Sequence, residues 1–448
     1  MNQALPPGPR VAAYQTLRYM RDPHGRTAEL ERRYGTPFTL PTVNGTLVLT
    51  TTPDGAREIL AGREEDFVVG FGVEALRVLV GEGGLLLLSG DAHRRERKLL
   101  SPTFHGARMR AYGNAVVEST LREAATWATG RQLNAQQSMQ SISIDVILRA
   151  VFGVQSGDRR LAFREAIRLA VDEVSPAPIF FDFLRHEFGG FGPWARFKRH
   201  KRAFDALIYQ QIAEARRDPQ EREDVLHRLV AARYDDGRPL PDDSIRDHLL
   251  TLLVAGHETT ATTLAWSFAE LAQHPEIVAH LRDDLAALGA DPAPDEVSSL
   301  PYLDAFCREI LRAHPIVAEF FRTVKTSFEL QGWQIPAGIS VAASILRIHR
   351  DPTLYPDPDR FRPERFLERR FAPHEFAAFG GGHRHCIGAA FAMNELKLVL
   401  GTLVPLFDWR LTENRPPRTI LRHVTLGPER GCPIVLGRRL SQRSARAA

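Results

Sequence analysis

Apolar residues recur three and four positions apart along most of the chain and alternate with polar ones over only a few short stretches. The pattern predicts a mainly α protein with a smaller β region. Alternation is clearest over 36–52, where Phe38, Leu40, Leu47 and Leu49 flank Asn44-Gly45, a hairpin turn signal. A short helix pattern begins at Pro53-Asp54, and 67–84, rich in Gly, Val and Phe, reads as partly irregular. Helical patterns then cover 115–128, 142–152, 159–171, 203–215 and 221–232. Residues 175–194 are aromatic and broken by Gly and Pro. The longest helix opens at Pro241-Asp242-Asp243-Ser244, with acids and a cap at its positive end, and stops before Pro275. Another fills 300–314 ahead of Pro315. Strand pairs follow over 328–335 and 339–344, a helix carries Phe391, Met393, Leu396, Leu398 and Val399, and strands return near 424–426 and 434–436.

Composition narrows the class. The chain has 448 residues, 44% of them hydrophobic, enough to bury a large core, and by length alone about three domains. Lys and Arg number 58 against 54 acids, a balance too even for a nucleic-acid surface. No run of about 18 apolar residues occurs, which predicts no membrane anchor, no signal peptide and a cytoplasmic protein. Three cysteines, Cys307, Cys386 and Cys432, are too few for a disulfide framework. Cys307 and Cys432 read as small packing residues.

The chemistry concentrates in Phe379-Gly380-Gly381-Gly382-His383-Arg384-His385-Cys386-Ile387-Gly388. The cysteine stands where a glycine-rich loop becomes a helix N-terminus, whose unpaired N–H groups favour a thiolate. The glycines clear side chains from around the sulfur, so a large flat group could lie directly on it. A zinc site of His383, His385 and Cys386 is the other chemical option, but no Cys-x-x-Cys pair completes the usual spacing. Three further clusters carry polar groups at helical spacing. His93 and Arg97 share one side of a basic helix. Ala255-Gly256-His257-Glu258-Thr259-Thr260 puts an acid and an alcohol beside a glycine in mid-helix, where the glycine costs about 1 kcal/mol against alanine. Glu309 and Arg312 can pair at i,i+3.

Phe379, Gly382, Arg384, Cys386 and Gly388 match the haem-binding signature of the cytochrome P-450 superfamily, which the chain resembles along almost its whole length. The resemblance implies a single haem-containing domain over 11–437, with a proline-rich lead at 1–10 and a basic disordered tail at 438–448. It implies haem b with Cys386 as the thiolate ligand, and Arg384, His93, Arg97 and Arg322 on the propionates. Phe379, Gly382, Gly388, Ala255 and Gly256 would line the cofactor. Glu258 would feed protons and Thr259 would hold oxygen and water. Glu309, Arg312 and Arg365 map onto a buried structural triad. Phe71, Leu76, Val317, Ala318 and Val424 fall where relatives meet substrate, and 175–194 resembles their mobile lid. The implied activity is a monooxygenase acting on a hydrophobic small molecule, a fatty acid, terpenoid or steroid ahead of a polyketide. Electrons would come from NAD(P)H through a reductase and a separate ferredoxin or flavodoxin. A peroxygenase or isomerase, and a non-catalytic haem-binding protein, remain alternatives.

Overall fold

The computed structural model describes residues 5–70, 72–104, 108–172, 178–179, 181, 184–218, 222–422 and 424–440. Its longer helices in chain order are α1 Ala12–Arg21, α2 Pro23–Tyr34, α3 Pro53–Ala61, α4 Gly90–Leu100, α5 Arg108–Ala124, α6 Ala135–Ala150, α7 Gly157–Ile167, α8 Pro193–Arg217, α9 Val225–Ala231, α10 Asp242–Leu271, α11 Pro275–Ala287, α12 Pro301–Ala313 and α13 Ala389–Leu403. Local chemistry sets many of the starts. Proline opens α2, α3, α8, α11 and α12, and the side chains of Asp22, Thr52 and Asp224 accept N–H bonds at the heads of α2, α3 and α9.

Two compact units emerge, each built from several stretches of chain, so no single linker separates them. The first comprises Met1–Phe71, Val116–Ile142 and Thr259–Ala448. Its strands are β1 Phe38–Thr42, β2 Gly45–Thr50, β3 Phe67–Val68, β4 Gln132–Asn134, β5 Glu319–Val324, β6 Ser327–Leu330, β7 Trp333–Pro336, β8 Ser340–Ser344, β9 Phe407–Leu411, β10 Thr419–Arg422, β11 Thr425–Pro428 and β12 Pro433–Arg439. A five-stranded sheet runs β1-β2-β8-β5-β3, with only β2 and β8 parallel. Side-chain alternation sorts its two faces. Val48, Val341 and Ala343 join one buried cluster, with Ile59, Phe67 and Phe320, while Leu47, Leu49 and Ala342 join another, with Leu30 and Phe38. A three-stranded sheet, β4-β12-β9, and the hairpins β6–β7 and β10–β11 complete this unit.

The second unit, Gly72–Ala115 and Ser143–Glu258, is helical. Phe152, Phe163 and Phe204 stack edge to face at its centre, 5.6 and 6.2 Å apart.

Several expectations shift. The first hairpin turns at Val43-Asn44 and not at Asn44-Gly45: Gly45, at φ 132°, already pairs with Thr42. Thr42 fixes this turn by accepting the Asn44 N–H at 3.2 Å and donating to the Gly45 carbonyl at 2.9 Å. The segment 328–335 folds on itself as β6–β7, whereas β8, buried at all five positions, takes a central place between β2 and β5. Helices α1, α2 and α11 and strand β5 have no counterpart in the sequence reading. The last strand continues through Arg439, two residues into the stretch read as tail. Pro6 and Pro7 of the N-terminal lead accept bonds from the Thr39 side chain and backbone.

Candidate active site

In the first unit, the loop between Phe379 and α13 is shaped by glycine for two different reasons. Gly380 and Gly382 have φ of 62° and 60°, the left-handed region. A Cβ at Gly382 would stand 2.6 Å from the Leu60 carbonyl oxygen, and one at Gly381 would stand 2.9 Å from the Leu60 side chain, so α3 packs too closely for anything larger. Gly388 is different. A Cβ there would meet no protein atom within 4 Å. The Cys386 N–H donates to the Phe379 carbonyl at 3.0 Å, and α13 starts three residues later. Cys386 is exposed, while Cys307 and Cys432 are buried, and burial pushes the Cys432 thiol up to about 12. Of the three sulfurs, Cys386 is the one placed to meet a ligand. Phe67 stacks on His383 at 6.2 Å and holds the loop to β3.

Arg322, on β5, reaches the same loop. Its Nη atoms donate to the carbonyls of Phe321 at 2.8 Å and Gly381 at 3.2 Å, and its buried Nε has no acceptor. Burial, and then the charge of Arg384, depress its pKa to about 10. A guanidinium with a buried, orphaned N–H, close to a second guanidinium, suits an anion.

Beneath the loop lies a buried ionic knot. Glu309 and Arg312, on α12, are 0% and 1% exposed and bond bidentately at 2.7 and 2.8 Å. The Arg365 Nε sits 3.5 Å from Glu309, and the Arg362 N–H donates to it at 2.8 Å. Arg312 also donates to the carbonyls of His349 and Pro358, and Arg365 to those of Asp357 and Arg360. The pair is buried, so it is not the exposed salt bridge that its spacing also allows. His349, unremarked in the sequence, links this knot to the loop. Its Nε2 accepts the Ala377 N–H at 3.0 Å, and its Nδ1 lies 3.3 Å from the Arg312 carbonyl. That pairing needs a neutral ring, and burial together with Arg312 depresses its pKa to about 3.

In the second unit, α4 buries His93 with Glu96 and Leu100 and leaves Arg97 half-buried. Glu96 is a functional candidate the sequence does not reveal. Its carboxylate meets His248 Nε2 at 3.0 Å, the Tyr234 hydroxyl at 3.0 Å and Arg95 Nε at 3.2 Å. Burial raises its pKa, but the bonds from His248, Tyr234 and Arg95 outweigh that and leave it lowered. The basic face of α4 is less bare than its sequence suggests: Arg94 pairs with Asp91, and Lys98 with Asp235 at 2.8 Å.

Along α10, Ala255 is exposed in mid-helix, whereas Gly256 packs so that a Cβ would stand 3.3 Å from Ile147 Cδ1. The glycine thus has a packing reason. His257 is buried, its Nδ1 2.9 Å from the Leu253 carbonyl, and Glu258 and Thr259 follow, both half-buried. Leu76 joins Leu79, Val80, Ile179, Phe197 and Val254 in an apolar cluster. Phe71 lies outside the described residues. Ala318 is buried against Leu346 and Leu426, while Val317 and Val424 are exposed. Among the described residues, no group of three or more His, Cys, Asp or Glu side chains could hold a metal ion.

The family profile described as Cytochrome P450 matches residues 3–432. The chain belongs to the cytochrome P450 family. Among its relatives are Mycobacterium tuberculosis proteins named cytochrome P450 135B1 and cytochrome P450 138. Each is 35% identical over 97% of this chain, covering 91% and 97% of the relative. A solved structure described as retinoic acid bound cyanobacterial CYP120A1 superposes with a TM-score of 0.84 at 25% identity, covering 97% of this chain and 99% of that one. The expected fold is therefore present, and this P450 is a haem-thiolate monooxygenase of a bacterial type. No helix among the described residues is long and apolar enough to cross a membrane.

Proposed function

We propose that this P450 binds haem b through Cys386 and inserts one oxygen atom into a hydrophobic small molecule, a fatty acid, terpenoid or steroid. The observation that carries the cofactor assignment is the pair Arg322 and Arg384 at the exposed cysteine loop, with an unsatisfied guanidinium N–H suited to a propionate. The open space at Gly388 fits a flat ring in the same way. His93 and Arg97 would hold the second propionate, and Ala255 and Gly256 would border the ring. When bound, thiolate-ligated haem supplies the electron-rich iron that favours O–O cleavage. The chain's own work is positioning and proton supply. Glu258 would move protons inward, and Thr259 would hold a water in place with its hydroxyl. The triad of Glu309, Arg312 and Arg365 would keep the loop rigid without taking part in the chemistry.

The substrate class is supported by the apolar cluster around Leu76 and Val254 and by the retinoic acid, an apolar chain with one carboxylate, bound to the cyanobacterial structure. Leu76, Phe71, Val317, Ala318 and Val424 remain the candidates for contact with it. Electrons would arrive from NAD(P)H through a reductase and a ferredoxin or flavodoxin.

The test is spectroscopic. Reduced protein under carbon monoxide should absorb near about 450 nm, and Cys386→Ser should lose that band; a serine variant that keeps it overturns the assignment. Glu258→Gln and Thr259→Ala should consume reductant without forming product. Turnover with peroxide that survives both substitutions would favour a peroxygenase or isomerase instead.

A further inference from the structure

The first helix turns its apolar residues outward. On α1, Val11, Tyr14, Leu17 and Met20 are 62, 49, 68 and 55% exposed, a stripe that winds across the outer half of the helix. Its inner side is polar and fully engaged. Gln15 accepts from Arg26, Thr16 Oγ1 accepts the Val43 N–H at 3.1 Å, and the Tyr19 hydroxyl donates to Glu319 on β5. These bonds hold the helix in a fixed orientation, so the outward stripe is a presented surface. Val43, 46% exposed at the tip of the first hairpin, extends it on one side. On another side α1 packs against β10, where Ile420 is 38% exposed, with Val424 at 51% in the turn that follows.

Charge identifies the occupant. Arg10, Arg18 and Arg21 stand exposed among the apolar side chains, α1 contains no acid, and exposed Arg32 and Arg33 follow at the end of α2. The acids nearby are engaged: Asp22 accepts the Gly25 N–H, Glu29 pairs with Arg18 and Arg26, and Glu31 with Arg347 and Thr51, which leaves Arg10, Arg21, Arg32 and Arg33 as the outward charge. Long apolar side chains interleaved with arginines, on one helix lying flat on a fold, are the makings of an interfacial helix.

We propose that the outward face of α1, with Val43, docks the protein on an anionic lipid bilayer. The inference stands apart from the haem assignment. Together with that assignment it gives an apolar substrate a route, because the bilayer that concentrates the substrate would lie against the β10–β11 turn that carries Val424.

The experiment sediments the holoprotein with large vesicles of phosphatidylcholine alone or of phosphatidylcholine containing about one third phosphatidylglycerol. Binding should require the anionic lipid and weaken with salt. Leu17→Glu with Met20→Glu should lower partitioning by on the order of tenfold or more, and Arg10→Gln with Arg21→Gln should abolish the preference for anionic vesicles. The carbon monoxide band of each variant shows that it is folded and loaded, so a failure here is separable from a failure of the haem reading. Absence of vesicle binding, equal binding to both vesicles, or unchanged binding of the glutamate variant overturns the proposal. So does a wild-type dimer in size-exclusion chromatography that the glutamate variant dissolves, since a second copy would then cover the face.

Discussion

Glu309 and Glu96 are both buried carboxylates on helices that carry proposed haem-site residues or brace them, yet they are neutralised in opposite ways. Glu309 is surrounded by two guanidinium groups and a backbone N–H, none of which loses its proton in the range where proteins fold. Glu96 depends on an imidazole, a phenol and one arginine at the surface. The first centre is held by permanent cations, and the second partly by an imidazole. Burial makes both expensive to disturb, and removing one partner of either leaves a buried carboxylate short of a donor.

The largest effect expected from this contrast is at Arg312. Arg312→Ala removes the bidentate partner and the donor to the carbonyls of His349, Pro358 and Arg360, and should cost about 3–5 kcal/mol in a urea titration, with loss of the band at about 450 nm. A variant as stable as wild type would break the comparison, since Glu309 would then be satisfied without its closest cation.

Next in size is an acid sensitivity that enters the Glu309 centre through its neighbour. His349 is neutral in the fold because burial and Arg312 hold its pKa near about 3, against 6.5 ordinarily. The unfolded chain therefore binds the extra proton first. His349 costs nothing above pH 6.5, and stability falls as pH drops from 6.5 towards 3, by up to about 1.4 kcal/mol per unit from this group. Unfolding measured between pH 7 and pH 4 should show that slope, reduced in His349→Asn. An equal slope in the variant would move the sensitivity elsewhere.

How much of this was legible follows the spacing of the partners. The cysteine loop and the Glu309 pair are written in short stretches, where residue type and separation carry the information, and the resemblance supplied Arg365. The Glu96 centre is assembled from residues 138 and 152 positions away, so no window of sequence contains it. The α1 helix escaped for a different reason: its apolar residues face solvent and its inward residues are Gln15 and Thr16, which inverts the pattern by which helices are found. Strand β5 was hidden because it comes soon after Pro315 and carries Phe320 and Phe321 side by side, so position in the sheet rather than alternation decides the conformation. The resemblance assigns Gly256 to the cofactor lining, and the fold adds Ile147 as a second claim on it.

The smallest and most discriminating effect is at Glu96. Glu96→Gln keeps the shape and an acceptor for the Tyr234 hydroxyl but removes the charge that His248 and Arg95 meet, so it should cost about 1–3 kcal/mol at neutral pH. Because the folded pKa of Glu96 lies below its ordinary 4.5, its contribution is present above that value and is lost as pH falls through the folded one. The cost of Glu96→Gln, measured against wild type by urea unfolding, should therefore shrink below pH 4.5, whereas the part of the Arg312→Ala cost that comes from lost bonds to the His349 and Pro358 carbonyls has no proton to follow. If both costs decline together, titratable partners are not what separates the two centres. If only the Glu96 cost declines, Glu309 is held by permanent charge and Glu96 by groups a proton can unfasten.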